Sequence, residues 1–265
     1  MCTATWTLDD HGRRHVFFSR DERRDRSTGR APERLDLCGT RVLAPLDPDG
    51  GGTWIFGNEF GLGACLLNDW QENGGSGTGR RSRGRLLLDL AGARDLQEAR
   101  TRLVRSVETA RHAPFHLLVF GVDGAVSRHQ WNGTALRDHP APDPPILISS
   151  SVSPDQVRSY RTRRLRELCG ACGRSSVEDL RDFHLDRCGP ASRRSVRMSR
   201  PDARTVSLVW MTLAAAPPGG QGVGMGRGPR MTHWHRRSDG AFHDPQEATL
   251  FGEEALSGKG TMRPR

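Results

Sequence analysis

Lysine is almost absent from this 265-residue sequence, although its formal net charge is +9 at pH 7. Lys259 is the only lysine, so arginine supplies nearly all of the positive charge. Together with abundant alanine, glycine and proline, this bias is typical of a GC-rich bacterial genome. The basic clusters at 80–83 and 161–164 also lack the interleaved aromatic side chains on which bases stack. The sequence therefore argues against nucleic acid as a partner.

Long apolar runs are missing as well, and hydrophobic residues make up only 35% of the chain. No stretch approaches the ~20 apolar residues of a membrane helix. The first residues lack the basic region and apolar core of a signal peptide. We therefore expect a soluble cytoplasmic protein with no membrane partner, whose six cysteines are thiols rather than a disulfide framework.

Loops are favoured by the 31 glycines and 16 prolines. The glycine-rich stretch 71–84 shows no sign of a domain boundary on either side. We predict a single domain over 1–257 and a disordered tail over 258–265. Hairpin signals alternate with amphipathic helices predicted over 95–111 and 154–168. This order favours an α+β fold of stacked antiparallel sheets covered by helices.

Cys2 directly follows the initiator methionine. Removal of Met1, which a small second residue permits, would give Cys2 a free α-amine. The thiolate is the reactive form of a thiol, and the reference pKa values of an α-amine (about 8) and a thiol (about 8.5) lie close together. An N-terminal amine activates threonine in the same way. The sequence therefore predicts a nucleophile and a base within one residue.

Charged residues at the end of the first hairpin could stabilise the ionised forms of this thiol and its amine. Strand-like segments on both sides of a strong turn place Ser19 or Arg20 opposite Cys2. An arginine there would stabilise the thiolate, and Asp21 or Glu22 could hold the ammonium form of the amine. The same pattern suits an ordinary edge hairpin with a buried cysteine and solvated charges. The residues alone leave both interpretations open.

Two further residues stand at the ends of predicted strands. Asn68 ends a strand, where its amide could hold an oxyanion or form a turn. Arg204 begins another strand and is a candidate for a second arginine of the site.

A possible metal pattern lies further along the chain. Cys169 and Cys172, followed by His184 and Cys188, have a spacing that can bind zinc. Partly buried thiols in a pair of helices explain this half-pattern better. We expect no metal and keep the four residues as candidate ligands.

Short motifs in a fixed order resemble the NRDE family, which includes the transport and Golgi organisation protein two. They cover residues 1–3, 19–22, 51–54 and 66–68, with weaker patches at 82–84, 149–151 and 203–207. Ser19 replaces the asparagine of the Asn-Arg-Asp-Glu motif. The family is similar in turn to the choloylglycine hydrolase and penicillin V acylase group of N-terminal-nucleophile hydrolases.

The resemblance implies a four-layer αββα sandwich of two antiparallel sheets, with Cys2 in a cleft between them. It also implies a cysteine-type amidohydrolase that acts on a non-peptide C–N bond of a small molecule. Cys2 would attack the carbonyl while its α-amine moves the proton. Arg20 would hold the thiolate, and Asn68 would hold the oxyanion.

The carboxylate for the ammonium is less regular in this sequence. In a regular strand Arg20 and Glu22 share a face, while Asp21 points away. The acylases carry the matching carboxylate three residues after the arginine, where this chain has Arg23. Our preference for Asp21 assumes that the strand breaks or bulges there. Ser150 stands where the related hydrolases carry an asparagine that assists the reaction centre.

A non-catalytic alternative has the same fold. Members of the NRDE family are linked to haem mobilisation and Golgi organisation. On this interpretation the protein binds and traffics a small ligand such as haem, and Cys2 is vestigial or coordinates iron. The hydrolase interpretation requires no cofactor, and neither interpretation fixes the oligomeric state.

Overall fold

The computed structural model describes residues 2–70, 80–168, 175–185, 192–214, 228–237 and 239–251. Its strands are β1 (Cys2–Leu8), β2 (Arg14–Arg23), β3 (Glu33–Leu37), β4 (Thr40–Ala44), β5 (Ile55–Asn58), β6 (Gly63–Asn68), β7 (Phe115–Phe120), β8 (Val126–Trp131), β9 (Leu136–His139), β10 (Ile146–Ser149), β11 (Ala203–Leu213), β12 (Arg230–His235) and β13 (Gln246–Thr249). Its helices are α1 (Arg83–Leu90), α2 (Leu96–Thr109), α3 (Pro154–Leu168) and α4 (Val177–Leu185).

The strands form two antiparallel sheets. Their orders are β10-β1-β2-β11-β12-β13 in the first sheet and β3-β4-β5-β6-β7-β8-β9 in the second. An apolar cluster that includes Phe18 and Leu67 fills the space between the sheets. Helices α1 and α2 pack on the outer face of the second sheet, and α3 and α4 pack on the outer face of the first. The predicted αββα sandwich is confirmed.

Asp9 shapes the turn of the first hairpin. Its Oδ1 accepts the backbone N–H groups of His11 and Arg13, each at 2.9 Å. A side chain that accepts from nearby backbone N–H groups stabilises a turn. The resulting register pairs Cys2 with Arg20. Of the two residues predicted to face Cys2, Arg20 is therefore the one directly across.

Both predicted amphipathic helices are present. Helix α3 has the predicted bounds, and α2 is shorter than 95–111 at both ends. Asp95 caps α2 by accepting the backbone N–H of Glu98 at 2.8 Å. Across the described part of the chain, no helix combines the length and the apolar character needed to cross a bilayer.

Of the four candidate metal ligands, only His184 falls within the described residues. Its Nδ1 lies 2.7 Å from Ser19 Oγ, and its Nε2 lies 2.9 Å from Thr5 Oγ1. Burial, followed by the charge of Arg161, lowers the pKa of His184 to about 3. The neutral imidazole thus joins α4 to β1 and β2. Cys169, Cys172 and Cys188 lie outside the described residues, as does the predicted tail.

Candidate active site

A cleft of about 250 Å³ opens where the two sheets meet beside the first residue of β1. It brings together most of the residues predicted for a site. Its walls include Cys2, Arg20, Asp21, Glu22, Asn68 and Arg83.

Cys2 lies between two neighbouring strands at the base of this cleft. It pairs with Ser149 of β10 on one side and with Arg20 of β2 on the other. Only 8% of the residue is exposed. Burial raises the pKa of the Cys2 thiol, and the charge of the Asp21 carboxylate raises it further, whereas the backbone N–H of Asp21 and the Arg20 guanidinium lower it. Nearby positive charge is therefore needed to favour the thiolate.

The Arg20 guanidinium is held in place beside Cys2. Its Nη2 donates to Glu22 Oε2 at 3.0 Å, and its Cζ lies 4.5 Å from the ring centroid of Trp54. Its Nη1 is buried and has no hydrogen-bond partner among the described residues. Trp54 itself is buried, and its ring stacks on Arg20 in the cleft.

Glu22 belongs to an ion-pair network behind Arg20. Arg26 Nη1 lies 3.1 Å from Glu22 Oε2, and Arg26 Nη2 lies 2.7 Å from Asp47 Oδ2. Arg20 Nη2 lies 3.7 Å from Asp47 Oδ1. The two carboxylates are thus shared by two arginines, and this arrangement restricts the orientation of the Arg20 side chain.

The Asp21 carboxylate lies on the opposite face of β2. Its Oδ1 accepts from Thr205 Oγ1 at 2.5 Å, and its Oδ2 lies 3.6 Å from Arg161 Nη2 of α3. The assumption that β2 breaks or bulges at Asp21 is wrong, because β2 continues to Arg23. The irregularity lies in the partner strand β11, between Thr205 and Ser207. Alternation along a regular β2 therefore directs Asp21 away from the face of Arg20.

Asn68 ends β6 at the edge of the cleft. Its backbone carbonyl accepts a hydrogen bond from the Ser149 hydroxyl. Since Ser149 pairs with Cys2, this bond joins the two sheets directly beside the thiol. The sequence analysis selected Ser150 instead, and its hydroxyl donates to the carbonyl of Val152 at 2.6 Å within the following turn.

Arg204 is not among the residues that line the cleft, within the part of the chain that the structure describes. Its backbone pairs with Glu22, but its Nη1 donates to the carbonyl of Arg237 at 3.2 Å.

Arg83 is a residue of the cleft to which the sequence analysis assigned no role. It is the first residue of α1, and its Nη1 donates to the carbonyl of Pro114 at 2.9 Å. Burial lowers the pKa of Arg83, and the nearby Cys2 acts in the opposite direction. Arg83 lies within the patch 82–84 of the family resemblance, so the motif was visible in the sequence, but its proximity to Cys2 was not.

Two glycines bring the segment that precedes Trp54 close to the start of α1. A Cβ atom on Gly52 would lie 2.3 Å from the backbone carbon of Gly84, and one on Gly84 would lie 2.9 Å from the carbonyl oxygen of Thr53. The Thr53 N–H donates to the Gly84 carbonyl at 3.2 Å. Both positions therefore require glycine, and their contact positions Trp54 and Arg83 on the cleft.

We expect Gly52→Ala to lower the free energy of unfolding by about 3 kcal/mol, the upper part of the range for overpacking, because the added methyl group meets backbone rather than a movable side chain. Urea unfolding followed by circular dichroism measures this change. Gly39→Ala is the control, since Gly39 has a φ of 82° but nothing within 4 Å of the added Cβ. A smaller loss for Gly52→Ala than for Gly39→Ala would contradict the steric explanation.

Solved structures of two hydrolases are among those that share this fold. A mutant of the conjugated bile acid hydrolase from Clostridium perfringens is similar with a TM-score of 0.52 and 14% identity, over 95% of this chain and 94% of that chain. The Caenorhabditis elegans ortholog of N-acylethanolamine-hydrolyzing acid amidase has a TM-score of 0.52 and 12% identity, over 83% of this chain and 95% of that chain. At these identities the likeness concerns the fold alone. The predicted likeness to N-terminal-nucleophile hydrolases is confirmed at that level.

No curated protein matches the sequence. The family profile of Transport and Golgi organisation 2 matches residues 1–177, more than half of the 265 residues. The match includes Cys2, Arg20, Asn68 and Arg83, and it confirms the predicted family. The chain therefore belongs to the Transport and Golgi organisation 2 family.

Proposed function

We propose that this protein is a cysteine amidohydrolase that cleaves a linear, non-peptide amide bond of a small molecule. The observation that carries the proposal is the buried Cys2 thiol in a cleft lined by Arg20 and Asn68. A nucleophile, a cation and an amide donor around one cleft are the groups that acyl transfer requires. The fold of the two structural relatives, a bile acid hydrolase and an acid amidase by name, supports this class.

The reaction begins once removal of Met1 has given Cys2 a free α-amine. The amine takes the thiol proton, and the sulfur attacks the amide carbonyl, whose electron pair moves to oxygen. The Asn68 side-chain N–H stabilises this oxyanion, a contribution of a few kcal/mol for one such donor. Collapse breaks the C–N bond, and the ammonium protonates the leaving amine. Water, deprotonated by the amine, then cleaves the thioester and releases the acid, and the thiol regains its proton.

Three further side chains prepare the nucleophile. The Arg20 guanidinium pairs across from Cys2 and favours the thiolate. The charge of Arg83 acts in the same direction. Asp21 Oδ2 is buried and has no hydrogen-bond partner within the described residues, so it can accept from the α-ammonium. No bulge in β2 is needed for this role of Asp21. The ion pair with Arg161 holds the carboxylate on the face of β2 opposite Arg20.

The cleft volume of about 250 Å³ suits a small-molecule substrate rather than a folded partner. The steps above use no cofactor. They require a reduced thiol, which supports the cytoplasm as the compartment of the reaction.

Intact-mass measurement and an amide panel test the proposal together. We expect the purified protein to lack one methionine residue. We also expect it to release amine from at least one member of a panel of linear amides. The panel begins with conjugated bile acids and N-acylethanolamines, because the names of the structural relatives designate them.

Retention of Met1 would contradict the mechanism, because Cys2 would then lack a free amine. The ligand-binding alternative would take its place. A haem titration of the wild-type protein and of Cys2→Ala would examine that alternative, since coordination by the thiolate predicts a change in Soret absorbance that the variant loses.

A further inference from the structure

A row of polar residues continues from Cys2 across the first sheet. Cys2 pairs with Arg20, Arg20 pairs with Ser207, and Ser207 pairs with His235 on β12. Directly paired residues on adjacent strands lie on the same face, which here is the face between the two sheets. The Ser207 hydroxyl and His235 Nδ1 are buried without a hydrogen-bond partner among the described residues. The row thus ends in polar groups that the fold itself does not satisfy.

His233 is the most unusual member of this region. It is fully buried, and neither of its ring nitrogens has a hydrogen-bond partner among the described residues. Its ring lies 4.1 Å from that of His235, centroid to centroid. Burial, followed by the charges of His235 and Arg20, lowers the pKa of His233 to about 3. An unpaired buried polar group of this kind destabilises the fold, so it points to a missing ligand.

A separate cavity of about 460 Å³ adjoins the two histidines. Arg236 and Arg237 also line it, and among the described residues neither forms an ion pair with a carboxylate within 4 Å. Arg236 Nε and Nη1 donate to the carbonyls of Gly240 and Met198, and Arg237 Nε donates to His243 Nδ1 at 3.3 Å. The two imidazole rings and the two guanidinium groups without a carboxylate partner therefore surround the same cavity. Asp244 is an acidic group at its rim.

We propose that this cavity, lined by His233, His235, Arg236 and Arg237, is a binding site for an oxyanion such as a phosphate or carboxylate group. The imidazole N–H groups supply hydrogen bonds from the buried side. The guanidinium groups supply charge and further donors from the open side, the arrangement that oxyanions favour.

A metal ion fits these residues less well. No group of three or more His, Cys, Asp or Glu side chains within the described ranges is arranged to hold one. Burial, followed by the charges of His243 and Arg20, already lowers the pKa of His235. A cation would add to this repulsion, whereas an anion would relieve it.

The oxyanion site is distinct from the cleft of Cys2. Arg20 stacks on Trp54, and a Cβ on Gly29 would lie 2.6 Å from the Trp54 ring and 3.3 Å from Arg20 Nη1, so these three residues pack tightly together. Thr28, the neighbour of Gly29, lines the oxyanion cavity. The inference does not rest on the proposed hydrolase activity, and it can succeed or fail independently of it.

Calorimetric titration of the full chain with inorganic phosphate at pH 7 tests the site. We expect saturable binding of one phosphate per chain, weakened at least ~10-fold by Arg237→Gln, which corresponds to about 1.4 kcal/mol. Arg230→Gln is the matched control, because this exposed arginine at the start of β12 lines a different cavity. His233→Gln should weaken binding as well, provided that its circular dichroism matches the wild type.

Parallel titrations with acetate and with zinc distinguish the possible ligands. Tighter binding of phosphate than of acetate would assign the site to phosphate groups, and the reverse order would assign it to carboxylates. Three results would overturn the proposal. They are no saturable binding of either anion up to about 10 mM, equal losses in Arg237→Gln and Arg230→Gln, or zinc binding that depends on His233 and not on Arg237.

Discussion

Replacing Cys2 with alanine is expected to abolish amide hydrolysis, with a loss of about 10⁴-fold or more in kcat, as is typical when a nucleophile is removed. The reason is chemical, since alanine cannot form the thioester through which the acyl group passes. The fold should persist, because Cys2 contributes a small side chain to a large apolar cluster between the sheets. Amine release from the substrate found in the panel measures the effect, and circular dichroism checks the fold.

The other cysteines of the described chain provide matched controls. Cys38 is exposed, and Cys65 is fully buried in the same apolar cluster as Cys2. Burial raises the pKa of the Cys65 thiol, so it is a poor nucleophile. Cys38→Ala and Cys65→Ala should therefore keep the activity of the folded wild type. Activity that survives in Cys2→Ala, or disappears in Cys38→Ala, would contradict the role of Cys2.

Cys2→Ser separates the nucleophile from the α-amine. Serine also permits removal of Met1, so the amine of residue 2 remains available. A hydroxyl is much harder to ionise than a thiol, so we expect the serine variant to retain far less activity than the wild type.

The sequence predicted those parts of the site that depend on local patterns. Turn residues and strand alternation are local, and they were enough to place Arg20 or Ser19 opposite Cys2. Asn68 was assigned to a strand end by the same alternation, and the structure has it there. The layer order followed from the succession of hairpins and helices.

Residues whose environment depends on distant segments were less predictable. Arg161 belongs to the basic cluster 161–164, yet it is fully buried. Its partners Thr3 and Asp21 lie about 140 or more positions away in the chain. The irregularity near Asp21 arises in β11, so no pattern within β2 could reveal it. Arg83 begins α1, where the next residue, Gly84, packs against Gly52 of a separate segment.

The ion pair between Asp21 and Arg161 should have the largest effect on stability. Both side chains are fully buried, with Asp21 Oδ2 3.6 Å from Arg161 Nη2. We expect Asp21→Asn to lower the free energy of unfolding by about 3–5 kcal/mol, because it leaves a buried guanidinium without this carboxylate. The amide is close in shape to the carboxylate and can still accept from Thr205 Oγ1. The loss of unfolding free energy therefore reflects the removed charge rather than a change in side-chain volume. Urea unfolding measures this loss.

A double variant identifies the origin of that loss. Asp21→Asn combined with Arg161→Met removes both charges, and we expect it to be more stable than Asp21→Asn alone, since no buried charge then lacks its counterion. Asp25→Asn is the control, because Asp25 and Arg23 form an exposed ion pair that should contribute little to the free energy of unfolding. If the double variant is as unstable as the sum of the two single variants, the charges are not coupled. The Asp21 carboxylate would then stabilise the fold through Thr205 and β11, and it would be free of Arg161 when it meets the α-ammonium of Cys2.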